Sequence, residues 1–261
     1  MATNTNSNTY TLVYATVLVV IVAFLLSFVS SSLKEQQDKN VKLDTKKQIL
    51  RSVNVVADDA DAEFDAKVKD YLFKDGTLQE VSSADFKTKY AGEIQSGNYH
   101  IFVYENDGDT KYIFPLAGNG LWGAIWGYIS VDSDKNTICG VDFSHESETP
   151  GLGAEITTDK FKSQFAGKKV IKEAEVALQV VKNGNIKDAE VECDGISGGT
   201  LTSNGVNAML QDCLRNYKAF LQASATAAVA QTDTAVIDTT ATLAGVEAEA
   251  EAVADSIANN N

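Results

Sequence analysis

The chain has 261 residues, 44% of them hydrophobic and 22% charged, with two prolines and a formal net charge of −14. That length holds one sizeable core plus appendages, and the acidic balance argues against a nucleic-acid partner, which such a surface would repel. Three cysteines, Cys139, Cys193 and Cys213, lie far apart without a C-x-x-C pair, and only His100 and His145 are available to join them, which argues against a zinc or iron–sulfur centre. One disulfide in an oxidising compartment and buried free thiols are both open readings.

No charged side chain precedes Lys34. Within that span YTLVYATVLVVIVAFLLSFV, Tyr10 to Val29, supplies twenty almost wholly apolar residues, about the length that crosses a roughly 30 Å hydrocarbon core. A cleaved signal peptide would carry a basic n-region and a shorter apolar run. Residues 1–33 are therefore expected to be a retained transmembrane anchor, with the helix over 10–33. Lys34, Lys39, Lys42, Lys46, Lys47 and Arg51 follow it, and a positive-inside count would leave the rest in the cytoplasm. Long domains translocate regardless of such charge, so the sequence leaves the side undecided.

Residues 34–97 read as a helical membrane-proximal region. NVKLDTKKQILRSVNV and DAEFDAKVKDYLF are short helices on this reading, the second with Phe64, Val68, Tyr71 and Leu72 on one face. From residue 98 the pattern turns to strands. NYHIFVYE and TKYIFPL flank an NDGD turn, and WGAIWGYISV and TICGVDFS flank DSDKN, which gives two hairpins. Thr158 is placed to cap a helix carrying Phe161 and Phe165, and VALQVV is a further strand. Lys160, Lys162, Lys168, Lys169 and Lys172 read as a solvated face. Val206, Met209, Leu210, Cys213, Leu214, Tyr217 and Leu221 recur at steps of three and four, the stripe of a packed helix beginning near Ser203. Thr202 or Ser203 would cap it. Strands grouped together with helices around them predict an α+β fold over 98–222, an antiparallel sheet with flanking helices. Residues 223–261 hold six acidic residues, no basic ones and no aromatics, an Ala/Thr-rich composition expected to stay disordered.

Two glycine-rich stretches stand out. DGISGGTLTSNGV, Asp194 to Val206, feeds that last helix. Glycines permit close approach of another molecule, and a helix N-terminus offers free N–H groups and the positive end of the dipole to an anion, with phosphate the obvious candidate. A plain loop with its cap explains the same residues. The stretch matches neither G-x-G-x-x-G nor the phosphate loop ending in Gly-Lys-Ser/Thr. SHESETPGLGAEI, Ser144 to Ile156, follows a strand, and Pro150, Gly151 and Gly153 specify a tight loop. His145, Glu146 and Glu148 lack the further ligands of a metal or acid–base cluster, so a polar loop that supports a ligand is the better reading.

HESETPGLGAEI followed some forty residues later by SGGTLTSNGV resembles the FMN-binding domain shared by the C subunit of the sodium-translocating NADH:quinone reductase and the G subunit of the Rnf complex. In that family the loop E-T-P-G-L-G precedes S-G-A-T, whose threonine carries FMN through a phosphoester, and Thr200 holds the matching position. Gly199 departs from the usual alanine, a small-for-small change. GNGLWGAIWGY, Gly118 to Tyr128, looks more like the quinone reductase protein. The resemblance covers about residues 10–221. It implies covalent FMN at Thr200, flanked by Ser197, Gly198, Gly199, Leu201 and Thr202. It also implies attachment by a separate flavin transferase, other membrane subunits as partners, and a domain on the periplasmic side of a bacterial inner membrane. On this reading the chain relays electrons without a catalytic residue of its own. A tethered extracytoplasmic module holding an untethered anion or flavin is the reading of a different class.

Position selects among the hydroxyls. Thr200 follows two glycines and is accessible, whereas Thr202 and Ser203 are better placed as caps. Around the ring we expect Glu148, Thr149, Leu152 and Gly153, with Leu121 and Trp122 near an exposed edge, because loops held by a rigid scaffold are where ligands bind.

Overall fold

The computed structural model describes residues 7–74 and 76–223. Helix α1, Asn8–Ser52, is a single rod of 45 residues, about 67 Å at 1.5 Å per residue. The apolar span and the first expected short helix are thus one element. Its N-terminal part has a mean hydropathy of 2.8 over eighteen residues, none of them buried against the rest of the chain, and so has the length and composition to cross a membrane. Near the other end Thr45, Gln48, Ile49, Leu50 and Ser52 are buried. The helix stops at Asn54, whose φ of 62° is left-handed and whose N–H bonds back to Arg51 O, while Val55 N–H reaches Leu50 O. An asparagine tolerates that conformation, and the bonds satisfy carbonyls the helix leaves open.

Helix α2, Ala60–Lys67, is capped by Asp59, which accepts from Ala62 N–H. Here the sequence reading needs correction. Val68, Tyr71 and Leu72 belong to strand β1, Val68–Lys74, and share no helical face with Phe64. Neighbours on both sides decide it, since β1 pairs antiparallel with β2, Thr77–Glu80, and with β3, Tyr99–Asn106. Two ladders of hydrogen bonds override an ambiguous local pattern. A short helix α3, Ala91–Gln95, precedes β3.

The expected hairpins form. β3 and β4, Asp109–Asn119, turn through Asp107 and Gly108, both with positive φ, the geometry that matches strand twist in a two-residue turn. β5, Ala124–Val131, and β6, Ile138–His145, complete an antiparallel sheet of order β2-β1-β3-β4-β5-β6. The fold is α+β, as the strand and helix grouping predicts, but the sheet starts at Val68, inside the stretch 34–97 read as helical, because β1 and β2 pair onto β3. After β6 come a 3-10 turn at Gly153–Thr157 and helix α4, Asp159–Lys162. Thr158 sits at the cap position, but its hydroxyl donates backwards to Glu155 O, and Phe165 lies beyond the helix. Two short strand pairs follow: β7, Ile171–Lys172, with β8, Glu175–Val176, and β9, Gln179–Val181, with β10, Glu192–Asp194. Helices α5, Thr200–Asn216, and α6, Lys218–Gln222, close the described chain. The reading of 223–261 as a disordered tail falls, beyond its first residue, outside the described residues.

Alternation along the strands splits the core between the two sheet faces. Phe114, Leu116, Ile125 and Ile129 join Val206, Met209, Leu210 and Leu214 of α5 and Tyr217 just beyond it. On the other face Phe102, Ile113 and Tyr128 meet Ile49 and Leu50 of α1 and Phe64 of α2. The three thiols are free, Cys193 and Cys213 within the core, and burial pushes the Cys193 thiol up to about 12.

Asp142 of β6 is nearly fully buried and joins two distant elements. One oxygen accepts from Arg51 Nε and a terminal guanidinium nitrogen at 3.2 and 2.9 Å, and the other from Lys162 Nζ at 3.0 Å. Lys162 is therefore a structural partner, unlike the solvated lysine its cluster suggested. Lys172 likewise pairs with Asp188 and Glu190. Removing the carboxylate leaves the partly solvated Arg51 without its ion pair and Lys162 with only the exposed Asp159 at 3.6 Å. Asp142→Ala should lower stability by about 1–3 kcal/mol, measurable as an earlier urea midpoint for loss of near-ultraviolet circular dichroism.

Candidate functional site

Three loops converge at the end of the sheet nearest the start of α5. The β4–β5 connection contributes Leu121 and Trp122. The loop after β6 contributes Glu148, Thr149, Leu152 and Gly153, and the entry to α5 contributes Gly198, Gly199, Thr200, Leu201 and Thr202. Together they line a cleft of about 140 Å³. Every residue expected around the cofactor lines it except Ser197, which is exposed and lies in the turn just outside.

Each loop is shaped by its own chemistry. Thr149-Pro150-Gly151-Leu152 is a tight turn closed by Leu152 N–H to Thr149 O at 3.1 Å, with Gly151 at φ 76°. Proline followed by a glycine of positive φ is what a type II turn requires. Ile196-Ser197-Gly198-Gly199 repeats the device, with Gly198 at φ 79° and Gly199 N–H bonded to Ile196 O.

The helix begins at Thr200 and not at Ser203, because Ser203 N–H already bonds to Gly199 O at 2.9 Å. Thr202 and Ser203 are consequently inside the first turn, and neither is the N-cap. The Ser203 hydroxyl donates to Gly199 O and accepts from Ile196 N–H, both at 2.9 Å. The Thr202 hydroxyl donates to Glu148 Oε2 at 2.7 Å. Both side chains are buried, Thr202 at 1% exposure, whereas Thr200 stands exposed on the rim. The amide N–H groups of Thr200, Leu201 and Thr202 precede the first intrahelical bond, so the positive end of α5 lies beside the Thr200 hydroxyl.

Glu148 ties the three loops together. Its Oε1 accepts from Trp122 N–H at 2.8 Å, and its own N–H donates to His145 Nδ1 at 3.2 Å. His145 thus supports the loop. Burial of the carboxyl raises its pKa, but the donors at Trp122, Thr202 and Leu121 outweigh that effect and hold it below the usual carboxylate range. Gly153 makes room: a Cβ there would stand 2.1 Å from Glu148 Oε2 and 2.4 Å from Thr202 Oγ1. The sequence carries no sign of the Glu148–Thr202 contact, which joins residues 54 positions apart.

Around the opening four large apolar side chains face solvent: Leu121, Trp122 at 67%, Leu152, and Leu201 at 60%. A rim hydroxyl, a helix N-terminus and apolar lips together suit a phosphate ester that carries a flat apolar ring.

The family described as FMN-binding domain matches residues 120–215, a span that contains all three loops. The cleft thus lies within an FMN-binding domain. Beyond that domain the chain is 30% identical over 229 residues to the C subunit of the Na(+)-translocating NADH-quinone reductase of Vibrio anguillarum, covering 79% of this chain and 90% of the relative. Among solved structures, the corresponding C subunit from Parabacteroides distasonis superposes with a TM-score of 0.68 at 43% identity, covering 74% of this chain and 98% of that one. NqrC of Shewanella oneidensis gives 0.58 at 25% identity, covering 69% and 97%. The chain belongs to the family of Na(+)-translocating NADH-quinone reductase C subunits, as its two loop motifs suggested.

The lowered pKa of Glu148 has a sign. A carboxyl more acidic in the folded than in the unfolded chain adds stability above its unfolded value, about 4.3, and that stability is lost as pH falls through the lower folded value. Urea unfolding of the wild type should show this acid-side loss, and Glu148→Gln should remove that part of the pH dependence.

Proposed function

We propose that this chain is the membrane-anchored flavoprotein subunit of a sodium-translocating NADH:quinone reductase, carrying FMN covalently on Thr200 and relaying electrons between partner subunits. The observation that carries the attachment site is the contrast among three hydroxyls. Thr202 and Ser203 are buried and engaged, and Thr200 is exposed at the cleft rim. A transferase needs an accessible hydroxyl. The phosphate then formed lies next to the free amides of the first turn, where the dipole favours an anion by roughly 0.3–1 kcal/mol, and about 2 kcal/mol when partly buried.

The residues present fit the group. Gly198 and Gly199 would give close access to the ester, the free amides of Leu201 and Thr202 would hold its phosphate, and Leu152, Leu121 and Trp122 would offer apolar surface to the ring. FMN bound there supplies reversible electron uptake, and the protein contributes position, electrostatics and tethering. The exposure of Trp122 and Leu201 leaves the ring's edge open to another subunit. Other membrane subunits of the complex are the partners on this reading, and a flavin transferase makes the bond. Similarity along 90% of the Vibrio anguillarum protein favours this complex over the Rnf complex.

The anchor is the apolar half of α1, and we assign the folded domain to the periplasmic face of a bacterial inner membrane. The charge count after the span points the other way, but a large domain weakens that rule. Protease added to intact spheroplasts should degrade the domain. Its survival there would reverse the orientation. Deleting residues 1–33 should release a soluble domain.

On co-production with a flavin transferase, Thr200→Ala should lose flavin fluorescence on a denaturing gel while keeping its circular dichroism. Thr202→Ala should keep the fluorescence and lose about 1–3 kcal/mol of stability, because it leaves a buried carboxylate oxygen short of a donor. Peptide mass spectrometry that located FMN on Thr202 or Ser203 would overturn the assignment.

A further inference from the structure

Glu148 is 5% exposed at the floor of the cleft. Trp122 N–H and the Thr202 hydroxyl occupy its two oxygens at 2.8 and 2.7 Å, and the Leu121 amide also favours its ionised form. Space is reserved for it on two sides. A Cβ on Gly120 would stand 2.3 Å from Oε1, and one on Gly153 2.1 Å from Oε2. What surrounds this charge is dipolar. Its hydrogen-bond partners are an amide and a hydroxyl, His145 is a further influence that favours its ionised form, and among the described residues no ion pair to it is formed. A carboxylate offers about four lone-pair sites, and protein donors already engage both of its oxygens. It therefore acts on a neighbour chiefly through its charge.

We propose that Glu148 is an electrostatic positioning residue: its negative charge, hydrogen-bonded but without an ion-pair partner at the floor of the cleft, lowers the reduction potential of a flavin carried at Thr200. The inference rests on the attachment proposed above. An electron entering the ring without a proton adds one negative charge beside the carboxylate. In a partly desolvated cleft that repulsion is several-fold larger than in water. The same carboxylate holds Trp122 and the first turn of α5, so charge and geometry come from one side chain and must be separated by experiment.

Glu148→Gln separates them. The amide has the same shape, its carbonyl oxygen accepts from Trp122 N–H, and its NH₂ donates to Thr202 Oγ1, so the bridge persists without the charge. Thr202→Val does the reverse, removing the hydroxyl bridge and keeping the carboxylate. The full-length chain, co-produced with the flavin transferase and purified in detergent, is titrated with dithionite while flavin absorbance is followed. Glu148→Gln should retain covalent flavin and take up the first electron with an equilibrium constant raised by roughly tenfold, about 59 mV. Thr202→Val should show no such rise.

The proposal fails if Glu148→Gln carries flavin at an unchanged or lower potential, or if Thr202→Val raises the potential equally. It also fails if Glu148→Gln folds but takes no flavin, since the neutral isostere would then not preserve the site. A wild-type chain that emerges without flavin sinks the attachment reading and this inference together. A wild-type chain that is loaded leaves the attachment reading standing whatever the potentials show.

Discussion

The cleft depends on one buried carboxylate. Glu148, on the loop after β6, accepts at its carboxylate from the β4–β5 connection and from the first turn of α5. Burying an ionised carboxyl without partners costs several kcal/mol. Here donors from two separate segments, and glycines that leave space on either side, offset that penalty. The loops cannot move independently of it, because any shift of one uncovers an acceptor that the others cannot satisfy.

A second carboxylate sets where the cleft sits relative to the long helix. Asp142 is gripped by Arg51 at the end of α1 and by Lys162 of α4, just beyond the 3-10 turn that follows the cleft loop. The apolar half of α1 is continuous with the half packed on the sheet, and Asn54 ends it against β6 through Cys139 O. The sheet is held between α1 and α2 on one face and α5 on the other. Its end is therefore a rigid platform, as a site that must hold a ring in fixed register requires.

Much of this was legible in the sequence for identifiable reasons. The hairpins follow from alternating apolar residues around turns such as Asn106–Asp109. The stripe Val206, Met209, Leu210, Cys213, Leu214 and Tyr217 gives α5 its buried face. The cleft loops show themselves because turns need Pro150, Gly151 and Gly198 at fixed places. β1 was not legible. Its apolar residues fit a helix as well as a strand, and only β2 and β3 on either side resolve the choice. The start of α5 was misplaced by three residues because hydroxyls are strong cap signals, yet Thr202 and Ser203 find their partners in Glu148 and Gly199.

Residue type and spacing along the chain were enough for the apolar span, the strand and helix grouping and the two glycine-rich loops, and it was the resemblance of those loops to a known family that pointed to the family of the chain. Which of the three hydroxyls is exposed, that a carboxylate 54 positions away engages Thr202, and that Asp142 joins α1 to α4 emerged only from the packed fold. These are contacts between segments whose separation along the chain carries no periodic trace. They come into being only when the sheet brings the ends of its loops within hydrogen-bonding distance.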